Sequence, residues 1–255
     1  MQYEKIFYQE TGDGKTLVFL HGLFGSSDNW IGIAKKLSKQ FRCILIDLPN
    51  HGKSEWTNQF TYSTLAEDLH EFIQHHQLTD FNILGHSMGG KIVMQYLHNF
   101  PGSVNKSIIV DIAPKTYEPS HTFILETLKT LPLQNVSSLK EAFEHLNKRL
   151  KDDALSFFLL KSLNITEGRA EWKINLDALI NNYQDILAAP TFTKSINTPT
   201  LFIRGLDSDY IQNNDKPLIR ESFSTVSFKD IENTGHWLHA QKPDLVVNSI
   251  EKFLN

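Results

Sequence analysis

Residues able to share a proton fall at loop positions along this chain. Gly85-His86-Ser87-Met88-Gly89 follows the apolar run Phe81 to Leu84 and precedes a helical pattern over Lys91 to Leu97. The order strand, sharp turn, helix holds the middle residue in a strained backbone, and the flanking glycines leave room for neighbouring chain. The Ser87 hydroxyl then stands clear of the sheet edge as a candidate nucleophile. Gly-x-Ser-x-Gly by itself is a weak pattern, and the flanking strand and helix give it weight. A serine hydroxyl attacks only when a base takes its proton and a third group holds that base. His236, in Gly235-His236-Trp237 just before the last helical pattern, is the best placed base. Asp111, ending one strand pattern, and Asp207 or Asp209, just after another, all satisfy the order Ser, Asp, His, with Asp111 favoured. Acyl transfer would also need two donors aimed at the developing oxyanion, and the amides of Leu23 and Met88 occupy those places.

Other motifs carry less. The pair His21-Gly22 is expected to shape its loop. Gly52-Lys53-Ser54 suggests a phosphate loop, but Asp47 stands where that motif needs its first glycine and no helix follows directly. His236-x-x-His239 lacks a third ligand at metal-binding spacing, so no metal is expected. His70, His75 and His76 are expected to face solvent.

To bring loops so far apart together, the chain needs a sheet whose strands end on one side. Thr16 to Leu20, Phe41 to Asp47, Phe81 to Leu84, Lys106 to Ile112, Thr200 to Arg204 and Val226 to Ile231 read as strands, with Tyr3 to Gln9 as an edge strand. Helical patterns alternate with them. Asp28 is placed to cap one, Thr64-x-x-Glu67 reads as a capping box on another that ends near Leu78, and Pro243 opens the last. From 115 to 196 the apolar residues recur only at helical spacing, which predicts a helical insertion in a mostly parallel α/β sheet covered on both faces. The expected division is 1–114 with 197–255 as the core and 115–196 as a helical cap.

The chain has 255 residues, a formal net charge of −4 and no basic run, which disfavours nucleic acid and anionic membrane surfaces and favours a small neutral or weakly charged ligand. Its one cysteine, Cys43, lies in an apolar run and is expected to pack. No apolar stretch approaches the ~18 residues of a membrane span and no leader pattern opens the chain, so the expected location is cytoplasmic.

Together, His21-Gly22-Leu23-Phe24-Gly25-Ser26, Asp47-x-Pro49-x-His51-Gly52-x-Ser54, Gly85-His86-Ser87-Met88-Gly89-Gly90 and Gly235-His236-Trp237 resemble the α/β-hydrolase superfamily over nearly the whole chain. Asp111-Ile112-Ala113-Pro114 and Gly205-x-x-Ser208-x-Tyr210 are similar to its YbfF group of small bacterial esterases. Many members carry the acid three residues after a glycine matching Gly205. Ser208 stands there, which supports Asp111 over Asp207 and Asp209. The resemblance implies a cap over the site, no cofactor, and a small-molecule acyl ester or thioester as substrate, cleaved through an acyl-enzyme. Phe24, beside the Leu23 amide, is a candidate substrate contact. Phe123, Phe143, Phe157 and Trp172 are candidates to wall an acyl pocket, although such aromatics more often pack a cap's own core. The alternative is a lyase or carbon-carbon hydrolase of the menaquinone-pathway type, in which Lys91 replaces the arginine usually seen after Ser-Met-Gly-Gly.

Overall fold

The computed structural model describes residues 5–255. Its core elements are β1 (Tyr8–Thr11), β2 (Lys15–Leu20), α1 (Ile31–Leu37), β3 (Phe41–Ile46), α2 (Tyr62–His75), β4 (Phe81–His86), α3 (Met88–Asn99) and β5 (Ser107–Val110). An insertion follows: α4 (Thr122–Lys129), α5 (Leu139–Leu150), α6 (Asp153–Leu160), β6 (Leu163–Thr166), β7 (Arg169–Trp172), α7 (Leu176–Asn181) and α8 (Tyr183–Leu187). The core resumes with β8 (Thr200–Gly205), α9 (Lys216–Ser222), β9 (Val226–Ile231), α10 (Leu238–Gln241) and α11 (Pro243–Leu254).

Seven strands form one sheet in the order β1-β3-β2-β4-β5-β8-β9, parallel except for β1, which pairs antiparallel with β3. The central strands β2, β4, β5 and β8 are buried along almost their whole length, as continuous Val, Ile, Leu and Phe runs require when helices cover both faces. One core packs α2 and α3 on one face, with Phe72, Ile92 and Tyr96, and another packs α1 and α11 on the other, with Trp30, Ile33 and Ile250. Cys43 is buried, and burial pushes its thiol up to about 12, so it packs as an inert apolar side chain. The chain crosses from β3 on one side of β2 to β4 on the other. In such sheets a ligand crevice opens outside the strand ends at this reversal.

Local details depart from expectation. The edge strand starts at Tyr8, and Tyr3 and Glu4 lie outside the described residues. Thr61, not Thr64, caps α2, accepting from the Thr64 amide at 3.2 Å while the Thr64 hydroxyl takes the Thr61 amide at 3.1 Å, because the buried Tyr62 already belongs to the helix's apolar face. Gln77, in left-handed conformation with φ 53°, follows the end of α2 three residues earlier than expected. Ser26, not Asp28, opens the 3-10 turn that leads into α1. Only His75 of its trio is exposed: His70 stacks on Phe100 at 3.8 Å, and His76 packs against Phe72 and Tyr8.

The insertion is helical except for the hairpin β6–β7, turned by Glu167 and Gly168 at φ 52° and 73°. Its four-residue, half-exposed strands make no buried apolar run, which is why helical spacing alone was legible there. Hydrogen bonds tie the insertion to the core at several points. The Asn175 amide donates to the Asn50 carbonyl at 2.9 Å, the Tyr62 hydroxyl to the Ile186 carbonyl at 2.6 Å, and the Ser162 hydroxyl to the Phe24 carbonyl.

Candidate active site

Ser87 occupies the turn between β4 and α3 with φ 52° and ψ −122°, a conformation rare outside glycine that costs on the order of 1–3 kcal/mol. Close approach of backbone enforces it. A Cβ at Gly85 would lie 2.3 Å from the Gly89 carbonyl oxygen, and one at Gly89 would lie 2.4 Å from that of His21. The Ser87 amide donates to the Val110 carbonyl at 3.0 Å, continuing the β4–β5 ladder into the turn.

The Ser87 hydroxyl donates to His236 Nε2 at 2.9 Å, and His236 Nδ1 donates to Asp111 Oδ2 at 2.8 Å. The carboxylate fixes this tautomer, since Nδ1 must carry the proton to bond it, which leaves Nε2 free to accept. Asp111 follows β5, fully buried at φ 52°, and its Oδ1 accepts from the Gly205 amide at 3.1 Å while the Ser208 hydroxyl donates to Oδ2. His236 is held from behind, where His86 Nε2 donates to its carbonyl at 2.9 Å, and on its face, where Tyr210 stacks at 3.8 Å. Asp207 and Asp209 are both exposed. Asp207 donates its amide to the Thr234 carbonyl, Asp209 accepts from Gln212, and neither reaches the imidazole.

Burial disfavours the single negative charge of the Asp111–His236 pair. The pair therefore takes its first proton high for a carboxylate, at about 7, and its second low for an imidazole, at about 3. The donors from Ser208 and Gly205, with the more distant Arg204 charge, pull the carboxyl back toward ionisation.

The loop after β2 lies against this turn, for a Cβ at Gly22 would meet the Ser87 Cβ at 3.1 Å. His21 shapes the loop, as expected: it is buried, its Nδ1 donates to the Gly22 carbonyl at 2.8 Å and its Nε2 accepts from the Leu48 amide at 3.0 Å. Neither the Leu23 nor the Met88 amide has an acceptor among the described residues, and both residues wall a cavity of about 30 Å³ beside Ser87. A second cavity of about 110 Å³ also opens on Ser87, walled by Phe24, Ile124, Leu155, Phe158, His236 and Trp237 among others. Two spaces meeting at one hydroxyl suit an acyl group on one side and a leaving group on the other.

The aromatic expectations divide. Phe24 walls the larger cavity, but Trp172 walls neither, because β7 pairs it with Leu163 and turns it into the insertion's packing. Phe143 and Phe157 stack on each other at 4.5 Å, and Phe123 and Phe157 are half exposed on the outer surface. Their neighbours Ile124 and Phe158 face inward instead. Ser208 and Tyr210 were not anticipated as site residues, though the serine standing three residues after Gly205 could have pointed to both. Lys91, singled out only within the lyase alternative, also walls the smaller cavity. No cluster of three or more metal-ligating side chains occurs among the described residues.

Four further buried histidines, His21, His51, His86 and His239, are held below the ordinary imidazole value by burial, His21 at about 4 and His51 at about 3. Each stabilises the fold fully above pH ~6.5, where the unfolded chain is also neutral. Below that the unfolded state binds more protons, and each histidine costs about 1.4 kcal/mol per pH unit down to its folded value. The Asp111–His236 pair contributes little to this slope, since its first proton binds close to where a free histidine's does. The urea midpoint should therefore fall steeply between pH 6.5 and 5. An unchanged midpoint would mean these imidazoles protonate within the folded state.

The family model described as the alpha/beta hydrolase fold matches residues 15–243. A solved marine microorganism esterase is 39% identical with a TM-score of 0.95, covering 98% of this chain and 99% of its own. The sn-1-specific diacylglycerol lipase ABHD11 of Danio rerio is 35% identical over 95% of this chain and 79% of its own length. Esterase YbfF of Escherichia coli is 30% identical over 97% and 96%. On the family match, these likenesses and the sheet described above, the chain belongs to the alpha/beta hydrolase fold family, as an esterase-type hydrolase.

Proposed function

We propose that the protein cleaves small carboxylic esters or acyl thioesters, with Ser87 as nucleophile, His236 as base, Asp111 as the group that holds it, and the Leu23 and Met88 amides as the oxyanion hole. One observation carries this reading: the unbroken hydrogen-bond chain from Ser87 through His236 to Asp111, opening onto cavities walled by two unsatisfied amide residues. The names of the esterase relatives agree with it.

The chemistry follows from the geometry. As Ser87 Oγ bonds to the acyl carbon, its proton passes to His236 Nε2, and the imidazolium that forms is stabilised by the Asp111 carboxylate at 2.8 Å. The carbonyl oxygen becomes an oxyanion and takes hydrogen bonds from the two amides. Collapse breaks the bond to the alcohol or thiol, which leaves with the proton from His236. Water then repeats the sequence on the acyl-enzyme, returning Ser87 and releasing the acid.

Turnover of p-nitrophenyl acetate and butyrate, with covalent labelling of Ser87 by a fluorophosphonate probe, tests the proposal. One observation favours a second reading, the lyase or carbon-carbon hydrolase: the buried Lys91 cation, which an anionic substrate would meet. A protein that takes the probe but releases no nitrophenol would select that alternative. The first proton on the Asp111–His236 pair removes the base, so kcat/KM should fall about tenfold per pH unit below about 7. A limb displaced to pH 4 or 5 in the pH–rate profile would instead mean that the donors around Asp111 outweigh its burial.

A further inference from the structure

We propose that Tyr62 sets the longest acyl chain that Ser87 can take, by closing the end of the acyl cavity against a groove on the outer surface of the molecule. The inference rests on the ester-hydrolysis reading above. His236 returns its proton to the departing alcohol or thiol, so the leaving group belongs on the imidazole's side of the serine. His236 walls the cavity of about 110 Å³ and not the one of about 30 Å³, which leaves the smaller space for the acyl chain. That volume holds about two or three water-sized groups, enough for a chain up to about butyryl.

The small cavity ends against something larger. Along α3, Met88 and Lys91 wall the cavity, whereas Gln95, His98 and Asn99 wall a groove of about 480 Å³. Successive turns of a helix advance about 5.4 Å, so the two spaces follow one another along α3. The insertion's return segment divides in the same way, with Ile186 and Leu187 on the cavity and Asp185 and Ala188 on the groove. Among the described residues, Tyr62 alone walls both spaces. One residue therefore separates them at that point.

Hydrogen bonds hold this partition shut. Tyr62 is 6% exposed, and its hydroxyl, kept protonated because burial pushes it up, donates to the Ile186 carbonyl at 2.6 Å. Beside it the Lys91 ammonium, 5.4 Å from the centre of the Tyr62 ring, donates to the Leu187 and Ala188 carbonyls at 2.9 and 2.6 Å. Tyr62 and Lys91 are thus anchored to the same backbone segment, and an acyl chain longer than the cavity meets this wall instead of passing it. Such a clash discriminates against long acyl groups without any contact that favours short ones. With the ring removed the chain would cross into the groove, where each further methylene taken out of water gains about fourfold in binding.

Initial rates on p-nitrophenyl butyrate and octanoate test this. In the unsubstituted enzyme kcat/KM should fall at least about tenfold from butyrate to octanoate. Tyr62→Ala should raise the octanoate-to-butyrate ratio by roughly ten- to a hundredfold, while Tyr62→Phe, which keeps the ring, should leave it within about threefold. A merely structural role would lower both chain lengths alike, so an unchanged ratio in Tyr62→Ala overturns the proposal, as does an equal rise in Tyr62→Phe. Ethyl acetate and octyl acetate vary the alcohol instead, and their ratio should not move in Tyr62→Ala. A shift there would put the leaving group in this space and overturn the proposal. Should Tyr62→Ala fail to fold, the unsubstituted enzyme still decides, because octanoate turned over as well as butyrate overturns a closed acyl cavity. Nitrophenol release without length discrimination sinks this inference alone, whereas no nitrophenol from either ester sinks the esterase reading beneath it.

Discussion

Ser87→Ala should lower kcat by about a millionfold, the scale of loss when a hydrolytic serine is removed. The alanine leaves His236 facing an empty position, since the 2.9 Å bond from the hydroxyl is the only connection between the base and the attacking atom. What remains should be the smaller acceleration from the Leu23 and Met88 amides and from binding. Substrate affinity and folding should hardly change, because the turn conformation is imposed by Gly85, Gly89 and the His21 carbonyl and not by the side chain at 87. Initial rates on p-nitrophenyl butyrate, read with fluorophosphonate labelling and a thermal melt, check all of this. A variant within tenfold of the unsubstituted enzyme would remove Ser87 from the reaction.

Asp111→Asn should cost about ten-thousandfold in kcat with KM little changed, and the surroundings dictate why. The Gly205 amide at 3.1 Å demands an oxygen at the Oδ1 position, so the asparagine must turn its NH2 toward His236. A donor at that place forces Nδ1 to accept, moves the imidazole proton to Nε2, and leaves nothing to take the Ser87 proton. The Ser208 hydroxyl can rotate to accept, so the fold should survive. Asp207→Asn and Asp209→Asn should stay within about twofold, as exposed surface changes usually do. A ten-thousandfold loss in either of them, with Asp111→Asn active, would move the acid to that loop.

These predictions show which parts of the site are local. The strand before Ser87, the glycines on either side of it and the helix after it lie within about twenty residues, and their steric consequence is set by covalent geometry and hard-sphere contact. Strand runs such as Leu17 to Leu20 and Val226 to Ile231 were likewise legible, because side-chain alternation and apolar runs report burial directly. The hairpin Leu163–Trp172 was not, since its short half-exposed strands leave no such signature. Nor was the fate of Trp172 or Phe157, because which face of the insertion meets the core depends on packing between elements.

The chain order of Ser87, Asp111 and His236, the room around the serine, the parallel sheet and the presence of an insertion were already determined by the sequence, all of them products of neighbouring residues and periodic burial. Only the tertiary structure decided that Asp111 and not Asp207 or Asp209 meets the imidazole, that Ser208 braces the carboxylate from 97 positions away, and that the Lys91 side chain is buried against the Leu187 and Ala188 carbonyls. Those facts rest on contacts between segments remote in the chain, whose partners are chosen by how helices and strands pack and not by the spacing of residues along them.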